Sequence, residues 1–350
     1  MRTLLAAIAA LALGGSGFAA DFAKGTPEVK SITALAFGPN GVLFLADPTT
    51  ATIVAVDTGD TAPGGKDNIA IEKIDEKIAN MMGTTAANVQ IKDVRANPAS
   101  GNVYLAVNRQ GAGGGSMIVK LTRDGKMAEF PLKDVSFAVA QLNGANDKTK
   151  QTSITSIGYV EGKVVVAGLS NEEFSSTLRV IPYPFKDVDK GSSIEIFHGA
   201  HGKLETKSPI QTFTPLKIGA ADYLLAAYTY TPLVRVPVSE LKPGTKVKGT
   251  TIAELGNRNK PLDMIVYNKD NKEWLLIANS ARGVMKMPTE GMASAAGIEK
   301  PVKSGTEGTK YETIKELVGV MHLDRLDAER ALILVQAEDK SYSLKSIPLP

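Results

Sequence analysis

Five polar side chains, recurring at matching places in a repeated pattern, offer the first chemistry in this sequence. Aligning six short strands by their apolar positions puts Ala34, Asp93, Ser156, Thr212, Asp263 and His322 in one column. Two carboxylates, two hydroxyls and an imidazole gathered in this way suit one divalent cation, Ca²⁺ or Zn²⁺. Around such a cation Asp93, Asp263 and His322 are the catalytic candidates, as ligands or as bases beside a metal-polarised carbonyl or water. Without a cation, the same groups hydrogen-bond one another and water in a polar channel.

A second set lies in His198-Gly-Ala-His201-Gly-Lys-Leu-Glu205, which carries two of the chain's three histidines. A glycine-rich loop can bend both imidazoles and Glu205 toward one ion. The glycines argue against a helix, so the competing expectation is one histidine capping a strand and the other solvated. Loop positions Asp47, Asn108, Arg109, Tyr228, Asn257, Arg258, Asn279 and Arg282 are the ligand-binding candidates. Arginine and asparagine grip carboxylates, phosphates or sugars through directed hydrogen bonds, and tyrosine adds a flat apolar face. The same residue types also build ordinary turns. Gly111-Ala-Gly-Gly-Gly-Ser116 lacks the Lys-Ser/Thr of a phosphate loop, and the chain beyond its leader has no Gly-x-Ser-x-Gly elbow.

The elements that must position these groups are strands in a long-period repeat. Val42-Leu-Phe-Leu-Ala46, Val103-Tyr-Leu-Ala106, Val164-Val-Val-Ala167, Tyr223-Leu-Leu-Ala226, Trp274-Leu-Leu-Ile-Ala278 and Ala331-Leu-Ile-Leu-Val-Gln336 share one form, at steps of 52 to 61 residues. Alanine is a poor isolated strand former but suits a crowded layer between sheets. A strand and a Gly/Pro/Asn turn precede most of these runs, a third strand follows, and a more polar fourth appears near 69–74, 128–132, 194–197, 251–255 and 311–317. Four strands per unit predict an all-β, six-bladed β-propeller, a single domain over residues 20–350. The sixth unit has no fourth strand of its own, so the N-terminal strand, from the segment 21–30, is expected to close the ring. The connections 75–88 and 134–152 read as elaborated loops, with a short helix at 77–82; a degenerate seventh blade there is the alternative. In a propeller the first strand of each blade lines the channel, and the loops entering it share a face with those joining the second strand to the third.

Ala36-Phe-Gly-Pro-Asn-Gly-Val-Leu-Phe-Leu-Ala-Asp47 resembles one unit of the NHL-repeat propellers. In sequence style it is also similar to the gluconolactonase-like and strictosidine-synthase-like six-bladed proteins. The resemblance implies the fold, whose members include hydrolases, isomerase-like enzymes and plain binding modules. Lactonase-like relatives imply a metal site of carboxylates and asparagine in the tunnel, and those ligands do not match position for position here.

Composition bounds the function. Arg2, the apolar stretch Leu4–Leu13 and the small-residue exit around Gly17-Phe-Ala19 predict a cleaved signal peptide over 1–19, hence a periplasmic or secreted protein. No later apolar run is long enough to span a bilayer. The charge of +3 is small, and the lysines are dispersed, which excludes the concentrated basic face of a nucleic-acid binder. The absence of cysteine excludes thiol catalysis and thiolate metal sites. Two functions remain in front: an exported binding protein recognising a small ligand or partner protein through its loop face, or a metal-dependent hydrolase of lactones or esters at the channel mouth. A subunit of an exported redox complex is a third, with any redox centre belonging to a partner or a bound quinone, since the chain has no haem-attachment motif.

Overall fold

The computed structural model describes residues 22–111, 114–142, 150–171, 173–186, 188, 190–229, 232–303 and 305–350; the expected leader lies outside them. These residues form six sheets of four to six strands, antiparallel except where Lys246–Lys248 lies parallel to Ser192–His198, arranged as a six-bladed propeller. The blades are numbered here by the order of their first strands in the chain. Blade one begins Ala34–Phe37, Val42–Asp47, Thr52–Asp57, three strands joined by tight turns. At its first turn Asn40 and Gly41 take φ of 53° and 71°, a region that asparagine and glycine enter at least cost. The other blades repeat this plan from Val89–Ala96, Ser156–Val160, Ile210–Ile218, Pro261–Lys269 and Val320–Arg325.

The ring does not follow the chain. Inner strands adjoin in the blade order two, one, three, four, five, six, and six meets two. Six apolar clusters confirm that order, one at each seam. Leu35 and Leu45 of blade one pack with Tyr104 of blade two, whereas Phe44 and Ala46 on the other side of blade one pack with Ile157 and Val166 of blade three. Blades two and six share Leu105, Leu332 and Leu344. The recurring alanines Ala46, Ala106, Ala167, Ala226 and Ala278 are all fully buried, as a crowded inter-sheet layer requires.

Two exchanges of strands produce this order. After Thr52–Asp57 the chain leaves blade one and pairs Ala70–Ile71 with Tyr342–Pro348, the third strand of blade six. It then builds blade two and returns, placing Val135–Gln141 beside Thr52–Asp57 as the fourth strand of blade one. An early strand therefore closes the ring, as expected, but it is Ala70–Ile71 and not the segment 21–30. From that segment, Ala23–Gly25 pairs outside Val135–Gln141 on blade one. The 69–74 strand correspondingly belongs to blade six, and the connection 134–152 contains a blade strand. Neither shift is visible in strand patterning, because a short strand pairs through its backbone and its sequence does not select one blade edge. The helix of the 75–88 connection spans Ile74–Met81, its Ile74 and Ile78 buried between blades two and six.

Candidate functional site

The aligned column is real. Ala34, Asp93, Ser156 and Asp263 sit opposite Ala46, Ala106, Ala167 and Ala278 on their second strands. Blades four and six are displaced from the sequence alignment: Thr212 faces Ala227, not Ala226, and His322 faces Leu334, two residues before Gln336. In four inner strands a register irregularity immediately precedes the column residue, at 91/93, 210/212, 261/263 and 320/322. One extra residue there re-aims the side chain that follows. Leu35, Val94, Ile157, Phe213, Met264 and Leu323, one residue on, alternate onto the opposite side of their strands and are buried.

The centre of the site is a residue that the column omits. Arg95 of blade two forms a two-pronged pair with Asp263 of blade five, Nη1 to Oδ2 at 3.0 Å and Nη2 to Oδ1 at 3.2 Å. Its Nη2 also lies 3.2 Å from Asp93 Oδ1. Nε donates to the Leu35 carbonyl at 3.3 Å, and Nη1 lies 3.3 Å from that of Leu323. The His322 Nδ1 stands 3.8 Å from Asp93 and 3.6 Å from Asp263. The carboxylates also stitch neighbouring blades. Asp93 accepts from Leu35 N at 2.7 Å, Asp263 from Leu323 N at 3.3 Å, and Asp324 from Ala96 N at 2.7 Å.

This arrangement splits the acids electrically. Burial of Asp263 is outweighed by Arg95 and His322, which hold its carboxyl below the ordinary range. Burial dominates at Asp93 and pushes it upward. Asp324, part-buried and lacking the two-pronged contact, is pushed up to about 6 by loss of solvation. Asp93, Asp263 and His322 offer donor atoms within 4.8 Å of one another, a set that could hold a cation. The guanidinium already supplies positive charge to both carboxylates.

Strand alternation carries the inner surface one step further, to Ala36, Arg95, Gly158, Thr214, Ile265 and Asp324. All six line a cavity of about 790 Å³, so every blade contributes to it. Phe37, Tyr159 and Phe213 form an aromatic side, while Arg123, Arg325 and Arg330 stand toward blades two and six. The crossing segment from blade one to blade six supplies Pro63–Lys66 as a further wall. Asp60 anchors that segment on blade two, accepting from Ser100 Oγ at 2.9 Å and Tyr104 Oη at 2.9 Å, with Lys120 at 3.2 Å. Arg330 holds its far end through the Lys66 carbonyl and Asn68 Oδ1, both at 2.8 Å. The chain exchange thus builds one side of the cavity.

This mouth is not the one expected. The cavity opens where inner strands end, opposite the loops that enter them, and Asp263 alone among the candidate residues lines it. The loop candidates instead hold turns. Asp47, fully buried, accepts from Lys30 N at 2.6 Å, Thr49 N at 2.8 Å and Thr50 N at 3.3 Å. Asn279 repeats the device, taking Ala281 N and Arg282 N at 3.1 and 3.2 Å, and donates to Asn259 at 2.7 Å. Asn108 donates to Ser31 Oγ at 3.2 Å and Arg109 to the Met82 carbonyl at 3.3 Å. Arg282 donates to the Asn257 carbonyl at 3.3 Å, and Arg258 adopts a φ of 55° in the same turn. Tyr228 is buried in the apolar seam between blades three and four. Sequence missed Arg95, Asp324 and Tyr159, although the first two follow column residues by two and the third lies one beyond Gly158. Extending the alternation by one step finds Arg95 and Asp324.

The second metal candidate is a hairpin at the outer edge of blade three. Ser192–His198 pairs with Lys203–Glu205, and the turn brings both imidazoles onto one carboxylate. His198 Nδ1 lies 3.0 Å from Glu205 Oε2, and His201 Nδ1 2.5 Å from Oε1. Ser208 Oγ donates to Oε2 at 2.8 Å. Burial of Glu205 is outweighed by these hydrogen bonds from His201, Ser208 and His198, which hold its carboxyl down at about 2. The glycine turn thus does direct the side chains, against the expectation of one capping and one solvated histidine.

No protein-family model and no curated protein matches this chain. Solved structures similar to it include an oxidoreductase (glucose dehydrogenase) from Thermus thermophilus, at TM-score 0.38 and 10% identity, covering 93% of this chain and 99% of that one. An aldose sugar dehydrogenase from Streptomyces coelicolor, in its PQQ-bound form, has TM-score 0.32 and 10% identity over 94% and 99%. A 6-phosphogluconolactonase from Bacteroides uniformis has TM-score 0.32 and 10% identity over 89% and 80%. With TM-scores below 0.5 these likenesses carry no argument, and the fold rests on the chain's own sheets and seams: it is a six-bladed β-propeller.

Proposed function

We propose that this chain is a binding protein that takes a small, partly apolar organic ligand into the axial cavity. The single observation that carries this reading is that all six blades converge on that one space of about 790 Å³. The volume lies within the range of small-molecule sites, and an aromatic side facing a charged one suits a ligand with a flat body and polar substituents. A partner protein has less support. Among the described residues the exposed large apolar side chains are Met81, Val139 and Leu204, on three separate elements, and Val318 in a connection.

The metal-dependent hydrolase is the second reading, and the spacing of Asp93, Asp263 and His322 favours it. Arg95 weighs against it, since a cation there must displace or face a guanidinium 3.0 to 3.2 Å from both carboxylates. The leader-like residues 1–19 support export to the periplasm or beyond, with residues 20–350 as one mature domain; mass spectrometry of the fractionated protein checks the cleavage point.

The binding test is a thermal-shift and NMR screen of cyclic polyols, aromatic acids and short hydroxy acids. Gly158→Leu crowds the cavity wall, its Cβ meeting the Phe213 ring at 3.0 Å, and Arg282→Ala alters the opposite face. Hits lost in Gly158→Leu and kept in Arg282→Ala support the reading. The reverse pattern, or an absence of hits, sinks it.

A further inference from the structure

We propose that His198, His201 and Glu205 bind a borderline divalent cation, Zn²⁺ by preference, at the seam of blades three and four, with Glu254 holding His198 from behind. The two Nδ1 atoms and the Glu205 carboxylate already meet at 3.0 and 2.5 Å, and the three donor groups lie within 4.8 Å of one another. Ligands around a zinc ion at about 2.1 Å stand roughly 3–3.5 Å apart, so binding needs only small movements. Two imidazoles and one carboxylate form a donor set that suits zinc better than calcium or magnesium.

The observation that separates this cluster from an ordinary hydrogen-bond network is the other nitrogen of His198. The residue is 1% exposed, and its Nε2 is buried without a hydrogen-bond partner. It faces Glu254 Oε2 at 3.9 Å, and Glu254 is itself 1% exposed. A neutral His198 that gave its Nδ1 proton to Glu205 would turn the Nε2 lone pair toward that second carboxylate. Coordination through Nδ1 leaves the proton on Nε2, where it points at Glu254. That is the carboxylate–histidine–metal arrangement by which a ligand's tautomer and ring plane are fixed.

The surroundings hold the hairpin in place for such a site. The Gly199 carbonyl accepts from Val302 N at 2.9 Å, and Thr251 Oγ1 donates to the Phe197 carbonyl at 2.6 Å. A side chain at Gly199 would meet Val302 at 2.7 Å and Glu254 at 3.1 Å, so the turn is seated directly on blade four. His201 stays 47% exposed at its side chain, which gives a cation a path in and leaves a coordination position facing solvent. Bound there, the cation closes the outer hairpin of blade three, whose His198 faces Glu254 on the fourth strand of blade four, away from the axial cavity.

The test uses the full mature chain without a histidine tag, incubated with ZnCl₂, passed through gel filtration and assayed by elemental analysis. Co²⁺ substitution supplies a visible spectrum that reports coordination geometry. We expect about one zinc per chain, a rise in melting temperature on loading, and loss of both in His201→Ala and in Glu205→Gln. His201 is exposed, so its variant folds, and Asp263→Asn should retain the metal. No retained zinc and no melting shift would overturn the proposal. Zinc kept in His201→Ala and Glu205→Gln but lost in Asp263→Asn would overturn it as well, by moving the ion to the axis.

Discussion

Arg95 and Asp263 reach past the intervening sixth blade to form a two-pronged ion pair at 3.0 and 3.2 Å beside the propeller axis. Asp93, 3.2 Å from the same guanidinium, makes Arg95 the shared counter-charge of two buried acids on two blades. Removing it leaves uncompensated buried carboxylates. Arg95→Ala is therefore expected to lose about 3–5 kcal/mol in urea unfolding, a range typical of breaking a buried pair from one side. Arg95→Lys should recover only part of this, because a single ammonium cannot make the forked contact. An Arg95→Ala variant as stable as the parent would show that the pair is not a structural clasp.

Asp324 gives the chain a dependence on pH of a particular sign. Its carboxyl is raised from 3.8 to about 6 by burial, so the folded chain binds that proton more tightly than the unfolded one. Its contribution to stability is present below pH ~4 and is lost as pH rises through about 6, by something on the order of 2–3 kcal/mol. Asp263, held low, acts oppositely and loses its contribution only as pH falls below the ordinary carboxylate range. Asp324→Asn can still accept from Ala96 N and should flatten the decline between pH 4 and 6. Urea midpoints at four pH values across that window measure it.

Asp47 separates a turn-holding role from a ligand-holding one. Its carboxylate accepts three backbone N–H groups, so Asp47→Ala should cost about 2–4 kcal/mol in denaturant unfolding, more than one unsatisfied donor's share of 1–3 kcal/mol. Asp47→Asn should keep the Thr49 and Thr50 contacts and lose about half of that. Ligand shifts found in the cavity screen should survive in both.

The exchanged closure strand can be tested without touching the axis. Leu344 is fully buried at the seam of blades two and six and pairs with Ile71. Leu344→Ala should cost about 2–4 kcal/mol by leaving a cavity, and should speed hydrogen exchange at residues 69–71 more than at 23–25. Equal effects on both segments would contradict the observed closure.

Strand period and turn chemistry were enough to read six blades, their inner strands and the column from Asp93 to His322, because side-chain alternation is a local property with a period of two. Thr212 and His322 do not face the expected second-strand residues, a register that only strand pairing fixes; an extra residue precedes them as it does Asp93 and Asp263, and it leaves no mark on an apolar pattern. The same local reasoning reached Glu205 with its two histidines, since a four-residue turn suffices to bring them together. It could not find that blade one lies between two and three, or that Ala70–Ile71 closes blade six, because a two-residue strand carries no pattern that selects one edge over another. Nor could it tell which mouth holds the cavity, whose wall at Pro63–Lys66 exists only through that exchange. The occupant of the axis was decided by the fold as well: Arg95 and Asp263 are 168 residues apart, and only closure of the ring brings their opposite charges within hydrogen-bonding distance.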